Sequence, residues 1–155
     1  MLNSAVEQAL NDQIQKEFHS AYIYLGMSAY FEAENLPGAA HWMRHQAEEE
    51  QEHAMKIFDF VNDRGGRVAL QAIGEPAAVY SSPLAVFEAA YAHEQKVTKS
   101  IHDLYALAVK EADYPTQVML QWFIDEQVEE EKTASAIVAQ LHMVGDSPAA
   151  LFMID

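Results

Sequence analysis

Glu50 and His53 stand three residues apart in a stretch, Glu49-Glu50-Gln51-Glu52-His53, whose apolar neighbours repeat at helical spacing. Side chains three apart leave the same face of a helix. That face also carries Met43, Gln46, Ile57 and Phe60, at alternating spacings of three and four, which is the stripe a bundle helix turns toward its core. A carboxylate and an imidazole therefore point inward, and whatever packs against this helix must answer them, because a buried charge without a partner is costly.

The matching groups occur 77 residues later: Glu17, Glu50 and His53 shift to Glu94, Gln127 and Glu130, all oxygen donors, and Glu49 and Glu52 shift to Glu126 and Glu129. The chain reads as two copies of one helix pair. Each copy offers an inward carboxylate from its first helix and an i, i+3 pair from its second, so four helices can bring six ligands to one point.

Periodicity predicts an all-α, four-helix bundle in a single domain over 1–155, with helices at about 4–34, 37–64, 83–112 and 115–144 and a short tail over 145–155. Ser4-x-x-Glu7 reads as a capping box. Leu10, Glu17, Tyr24 and Phe31 are spaced by seven, which puts Glu17 on a face with three residues that favour burial. Asn35-Leu36-Pro37-Gly38 makes a turn, and Gly65-Gly66 ends the second helix. The connection to Ser82-Pro83, roughly 17 residues, is longer than a bundle turn needs and can cross the whole bundle, leaving the second and third helices parallel. Its Val68, Ile73, Pro76 and Tyr80 predict a packed connection rather than a free linker.

The third stripe, Leu84, Phe87, Tyr91, Glu94, Thr98, Ile101, Tyr105 and Ala108, is interrupted by Glu94. The fourth, Leu120, Phe123, Gln127, Glu130, Ala134, Ile137, Leu141 and Val144, is interrupted at the matching level by Gln127 and Glu130. Residues 149–155 are apolar but too few for a stable isolated helix, so they are expected to dock.

Composition narrows the chemistry. A formal charge of -15 argues against nucleic acid, whose phosphates need clustered Lys and Arg. No apolar run approaches the roughly 20 residues of a membrane span, and the N-terminus lacks a secretory pattern, so a cytoplasmic protein with no membrane partner is expected. With no Cys, any metal must be held by oxygen and imidazole. Buried carboxylates must be protonated, paired with cations or hydrated, and none of the nine Lys and Arg residues falls on the stripes at this level. Glu17, Glu50, Glu94 and Glu130 supply the charge that two divalent cations would neutralise, while His53 and Gln127 complete the shell. Such a donor set suits iron or manganese.

An inward Glu from each of two helices plus a Glu-x-x-His is the di-iron carboxylate bundle pattern. Across all four long helices the chain resembles a bacterial non-haem ferritin, an iron-storage protein whose subunits assemble into a hollow cage. The resemblance implies a ferroxidase centre at Glu17, Glu50, His53, Glu94, Gln127 and Glu130. It also implies a third iron site at Glu49, Glu126 and Glu129 with Glu130, and an electron-transfer tyrosine at Tyr24. Implied with these are Fe(II) as substrate, dioxygen or hydrogen peroxide as oxidant, and a homo-oligomer of 24 subunits.

Departures from related families add to this. Bacterioferritin and many di-iron oxygenases carry a second Glu-x-x-His on the fourth helix, where this chain has Gln127-Val128-Glu129-Glu130. Fewer permanent ligands suit iron that leaves after oxidation. Bacterioferritin also places a haem-ligating Met where Gln51 stands, so no haem is expected. The segment after Gly145 is shorter than the family's fifth helix, which lines a cage pore, so the pore is expected to differ. Two other readings stay open at this point: a di-iron oxidase with a retained cofactor, and a non-enzymatic helical interaction protein.

Overall fold

Each of the four long stripes becomes one helix in the computed structural model, which describes residues 1–155. They are α1 (Ser4–Ala33), α2 (Pro37–Asp63), α3 (Pro83–Lys110) and α4 (Tyr114–Val144), and a short α5 (Pro148–Ile154) follows. There are no strands. α1 packs chiefly against α2 and α3 against α4, so the two helix pairs read from the sequence are also the two halves of the bundle.

The N-terminal cap differs from the expected one. Ser4 is already helical, and Asn3 caps α1 instead, its Oδ1 accepting from the Ala5 N–H at 2.8 Å and the Val6 N–H at 3.2 Å. Asn is at least as good an acceptor there as Ser. Glu7, not needed for a capping box, accepts from the Arg67 N–H at 2.7 Å and so ties the long connection to the start of α1.

That connection runs the length of α1. Asn11 donates to the Arg67 carbonyl at 3.0 Å and accepts from the Ala69 N–H at 2.8 Å. Further along, Gln15 donates to the Ala72 carbonyl at 3.2 Å, and Tyr80 meets Tyr30 edge-on with ring centroids 5.5 Å apart. Gly26 permits the close approach: a Cβ built there would lie 3.2 Å from the Pro76 side chain. The chain therefore returns to the end of the bundle where α2 began, and α3 runs parallel to α2 as the connection's length predicts.

The two halves repeat down to their turns. Glu34 and Glu111, 77 residues apart, both end their helices at φ −87° and ψ 3°. Asn35 and Ala112, again 77 apart, follow in the left-handed region at φ 60° and φ 52°. This left-handed residue stops α3 at Lys110, short of the expected 112, since a helix cannot continue through it.

The tail docks as expected, and docking is what makes α5 helical. The Asp155 carboxylate accepts from the Gly38 N–H at 2.9 Å and the Ala39 N–H at 2.7 Å at the free N-terminus of α2. Leu151 packs on the adjoining core.

Two apolar clusters fill the bundle. One gathers Val6, Leu10, Ile14, Ile57, Val61, Ile101, Leu104 and Leu120; the other gathers Tyr24, Met27, Phe31, Met43, Phe87, Ala90 and Leu141. Along α1, Glu17 falls in the gap between them. The inward polar groups thus occupy one level of the bundle with hydrocarbon on either side.

Candidate metal centre

Six side chains from four helices converge at that level. α1 contributes Glu17, α2 Glu50 and His53, α3 Glu94, and α4 Gln127 and Glu130; all six are buried. Each helix places its group inward because the stripe around it is apolar on both sides. The hydrophobic effect, acting on the 25 buried apolar residues, holds these groups where water would otherwise claim them.

Their acidic and imidazole atoms form three sets, each drawn within 4.8 Å and each able to hold a metal ion: Glu17, Glu50 and His53; Glu50, Glu94 and Glu130; and Glu49, Glu126 and Glu130. Glu50 belongs to the first two and Glu130 to the last two, so the sets share carboxylates in a row. Gln127 joins through Glu94, to which its amide nitrogen donates at 3.1 Å. Glu129 is exposed and is not brought to any of the sets. It precedes inward-facing Glu130 by one residue and leaves the helix about 100° around from it.

The hydrogen bonding is lopsided. Tyr24 O–H donates to Glu94 Oε1 at 2.6 Å, Gln46 donates to Glu130 Oε2 at 2.8 Å, and Gln13 donates to Glu17 Oε1 at 3.1 Å. Glu17 Oε2 and Glu50 Oε2 are buried with no donor. His53 Nδ1 lies 3.3 Å from Glu50 Oε2 and 3.9 Å from Glu17 Oε2 but is not aligned to donate to either. Such orphaned acceptors are rare in folded proteins, and these two are met either by a proton shared between Glu17 and Glu50 or by a bound cation.

The acidities say the same. Burial first, and then the charge of Glu50, pushes Glu17 well above the usual carboxylate range; burial and then Glu94 do the same to Glu50. Glu94 is raised by burial, against which the hydrogen bonds from Tyr24 and Gln127 work. Burial, followed by repulsion from Glu94, lifts Glu130 to about 7. The Tyr24 hydroxyl is pushed up by burial and by Glu94, so it stays a donor at neutral pH. Without a cation the cluster therefore holds protons, and a divalent cation would displace them. The donor set of hard carboxylate oxygens with one imidazole fits iron or manganese, and the two orphaned oxygens belong to residues of one metal-binding set.

Sequence reasoning left several supporting residues unassigned. Gln13 and Gln46 are ordinary polar residues on their helices until the fold sets them against Glu17 and Glu130. Trp122 lies edge-on to His53 with ring centroids 5.2 Å apart, and Lys56 Nζ sits 3.6 Å from the centre of its ring. These residues border a cleft of about 410 Å³ lined also by Glu49, Glu52, Asp59 and Glu126, which opens from the third set to the surface. Phe123 packs beside Trp122, its ring centroid 6.0 Å from that of His53 and 5.0 Å from that of Trp122.

The chain as a whole is similar to known proteins. The Ferritin-like domain family matches residues 7–144. A bacterial non-heme ferritin of Staphylococcus aureus (strain USA300) is 37% identical over 155 residues, covering 100% of this chain and 93% of its own length. The corresponding protein of Staphylococcus saprophyticus is 39% identical over the same span. Among solved structures, one described as a novel open pore ferritin from the hyperthermophilic archaeon Archaeoglobus fulgidus has a TM-score of 0.98 and 48% identity, covering 99% of this chain and 94% of that one.

Proposed function

The chain belongs to the ferritin family, and on that premise we propose that it takes up Fe(II), oxidises it at the four-helix centre and stores the Fe(III) as mineral inside a cytoplasmic cage of 24 copies. The observation that carries this reading is the pair of orphaned, buried oxygens on Glu17 and Glu50 within overlapping sets of metal-binding side chains. The third buried acceptor without a donor, Asp113 Oδ2 at the cap of α4, stands alone beside Arg64, whereas these two belong to residues of one metal-binding set.

In this reading Glu17, Glu50 and His53 receive one Fe(II), and Glu50, Glu94 and Glu130, with Gln127 beside them, receive the other. The raised carboxylates release their protons as the iron binds, so charge is exchanged rather than accumulated in the dry interior. Two Fe(II) ions give up one electron each to dioxygen, which takes two protons and leaves as hydrogen peroxide, or to hydrogen peroxide, which with two protons becomes two waters. The residues fix geometry and exclude solvent: Gln46 holds Glu130, Phe123 packs on His53, and the apolar clusters seal the level above and below. Tyr24 takes part where dioxygen is carried through to two waters, which needs four electrons and four protons. Two electrons come from the Fe(II) pair, one from a third Fe(II) at Glu49, Glu126 and Glu130, and one from Tyr24, whose phenolic proton passes to Glu94 Oε1 along the existing hydrogen bond.

Oxidised iron then leaves through the third set. Glu49 and Glu126 share Glu130 with the centre and line the open cleft, so an ion moving outward exchanges one carboxylate at a time. Glu129 is proposed to act further out, from the surface. No haem takes part in this scheme.

The test is aerobic addition of excess Fe(II) to metal-free protein, followed by size-exclusion chromatography with iron and protein measured across the column. Iron far above the few ions the centre could hold, eluting with a large assembly, is expected. Iron that stays near two per chain would instead make this a di-iron oxidase with a retained cofactor.

A further inference from the structure

Gln127 differs chemically from every other ligand at the centre. A carboxylate offers a metal two equivalent oxygens, whereas an amide offers one oxygen and one NH2 group, and the NH2 repels a cation. Its usefulness depends on which end faces the metal. The Gln127 Nε2 donates to the Glu94 carbonyl at 3.2 Å, to Glu94 Oε2 at 3.1 Å and to Thr98 Oγ1 at 3.0 Å. The Thr98 hydroxyl is itself committed, donating to Glu131 Oε2 at 2.6 Å, a short charge-assisted bond. With its one proton spent on Glu131, Thr98 presents only lone pairs to Gln127. A flipped amide would set its oxygen against that oxygen.

We infer that Thr98 and Glu131 are positioning residues that lock the Gln127 amide with its carbonyl oxygen free for the metal. The repeat in the chain supports this. The ligand 77 residues before Gln127 is Glu50, which needs no orientation, and the residues 77 before Thr98 and Glu131 are Ala21 and Ala54, which cannot provide any. The relay is present only in the half that uses an amide. This inference rests on the metal-binding reading above.

Co(II), which is stable in air, is the probe, titrated into metal-free full-length protein and followed by its visible d–d bands and by equilibrium dialysis. Wild type should bind two Co(II) per chain at the centre, and Glu50→Ala should lose both. Thr98→Val keeps the shape but removes the hydroxyl, and should weaken the second Co(II) by roughly tenfold, the scale of one buried hydrogen bond, with a changed band pattern. Thr98→Ser should restore both. In a Gln127→Glu background, where orientation no longer matters, Thr98→Val should be silent; a merely structural role for Thr98 would persist there. If Glu50→Ala loses the metal while Thr98→Val titrates like wild type, or if Thr98→Val costs the same in the Gln127→Glu background, the relay is refuted and the centre stands. If Glu50→Ala binds like wild type, the centre and the relay fall together.

Discussion

The two halves of the bundle are built alike and answer their buried charge in opposite ways. Shifting by 77 residues maps helix onto helix and the left-handed turn residue Asn35 onto Ala112. It also maps contacts onto contacts: Gln46 meets Glu130 across the bundle, and their counterparts Phe123 and His53 meet as well. Yet Glu94 receives hydrogen bonds from Tyr24 and Gln127, while the positions matching those donors around Glu17 hold Ile101, which has nothing to donate, and Glu50, which is an acid. The acids of the second half rest on neutral donors, whereas in the first Glu17 takes a single hydrogen bond from Gln13 and both Glu17 and Glu50 keep one bare oxygen. The first half needs bound protons or a cation to settle it, whereas in the second Tyr24, Gln127 and Gln46 already supply donors. On the proposed function, that asymmetry assigns capture to Glu17, Glu50 and His53 and release to Glu94, Gln127 and Glu130.

Exchanging equivalent positions tests this most severely. Glu50→Ala removes a ligand shared by two sets and should slow initial Fe(II) oxidation at low iron by on the order of a hundredfold or more. Gln127→Ala, at the matching position, should cost only about tenfold, within the range for groups that tune rather than hold a metal. Stopped-flow absorbance at about two Fe(II) per chain measures both. Equal losses would mean that the halves contribute alike and that the unequal hydrogen bonding has no consequence for binding.

Stability of the metal-free protein gives a smaller contrast. The raised acids keep protons in the folded state that the unfolded chain has released, so stability is lost as pH rises from the ordinary carboxylate value of 4.5 through about 7 and beyond. His93 runs the other way: burial, then His19 and Lys96, hold it down to about 4, so its contribution is present above 6.5 and lost as pH falls. From pH 7 to 8, a window in which the His93 contribution has levelled off, the raised carboxylates set the trend. There the denaturation midpoint of metal-free protein should fall with pH, and saturating Co(II) should flatten the slope. Glu50→Gln should raise the metal-free midpoint in this window by several degrees, and Glu94→Gln by much less, because Tyr24 and Gln127 already compensate Glu94. Calorimetry across the window decides it, and a larger gain from Glu94→Gln would reverse the assignment of strain.

How much of this could be read from the chain depends on what kind of signal each part leaves. The four helices and the six central residues were legible because apolar stripes fix which way each side chain points, and Glu17, Glu50, Glu94 and Glu130 break those stripes at matching levels. The parallel course of α2 and α3 followed from the length of the connection alone. Gln46 and Thr98 also lay on the stripes, but nothing local says that an inward amide or hydroxyl will meet a carboxylate from another helix. That is decided by rotation and register between helices, which periodicity does not encode. Glu131 and Trp122 lay off the inward stripe and had no signal until α4 was packed. Asn3 was missed for a simpler reason: two acceptable caps stood side by side, and the contact that selected between them, Glu7 with the Arg67 N–H, comes from a segment 60 residues away.

The least costly test of the repeat lies away from the metal. Asn35 and Ala112 occupy the same left-handed position in equivalent turns, at φ 60° and φ 52°. Asn tolerates that region because its side chain can bond locally, while Ala carries the full clash between Cβ and backbone, about 1 kcal/mol. Ala112→Asn should therefore stabilise the chain by roughly 0.5–1 kcal/mol, and Asn35→Ala should destabilise it by a similar amount, as read from guanidinium midpoints. Neither should alter iron oxidation, since both turns lie at an end of the bundle and none of the three ligand sets includes them. Equal and opposite shifts would mean that the halves match in energy as well as in backbone angle. If Ala112→Asn gave no gain, the second turn would have its own compensation. The nearest source is Asp113, which caps α4 through the Thr116 N–H and accepts from Arg64 at 2.8 Å, where the first half has only Leu36. Arg64→Ala combined with Ala112→Asn would then expose the missing half-kilocalorie, and if it did not, the likeness of the two turns would be one of shape alone.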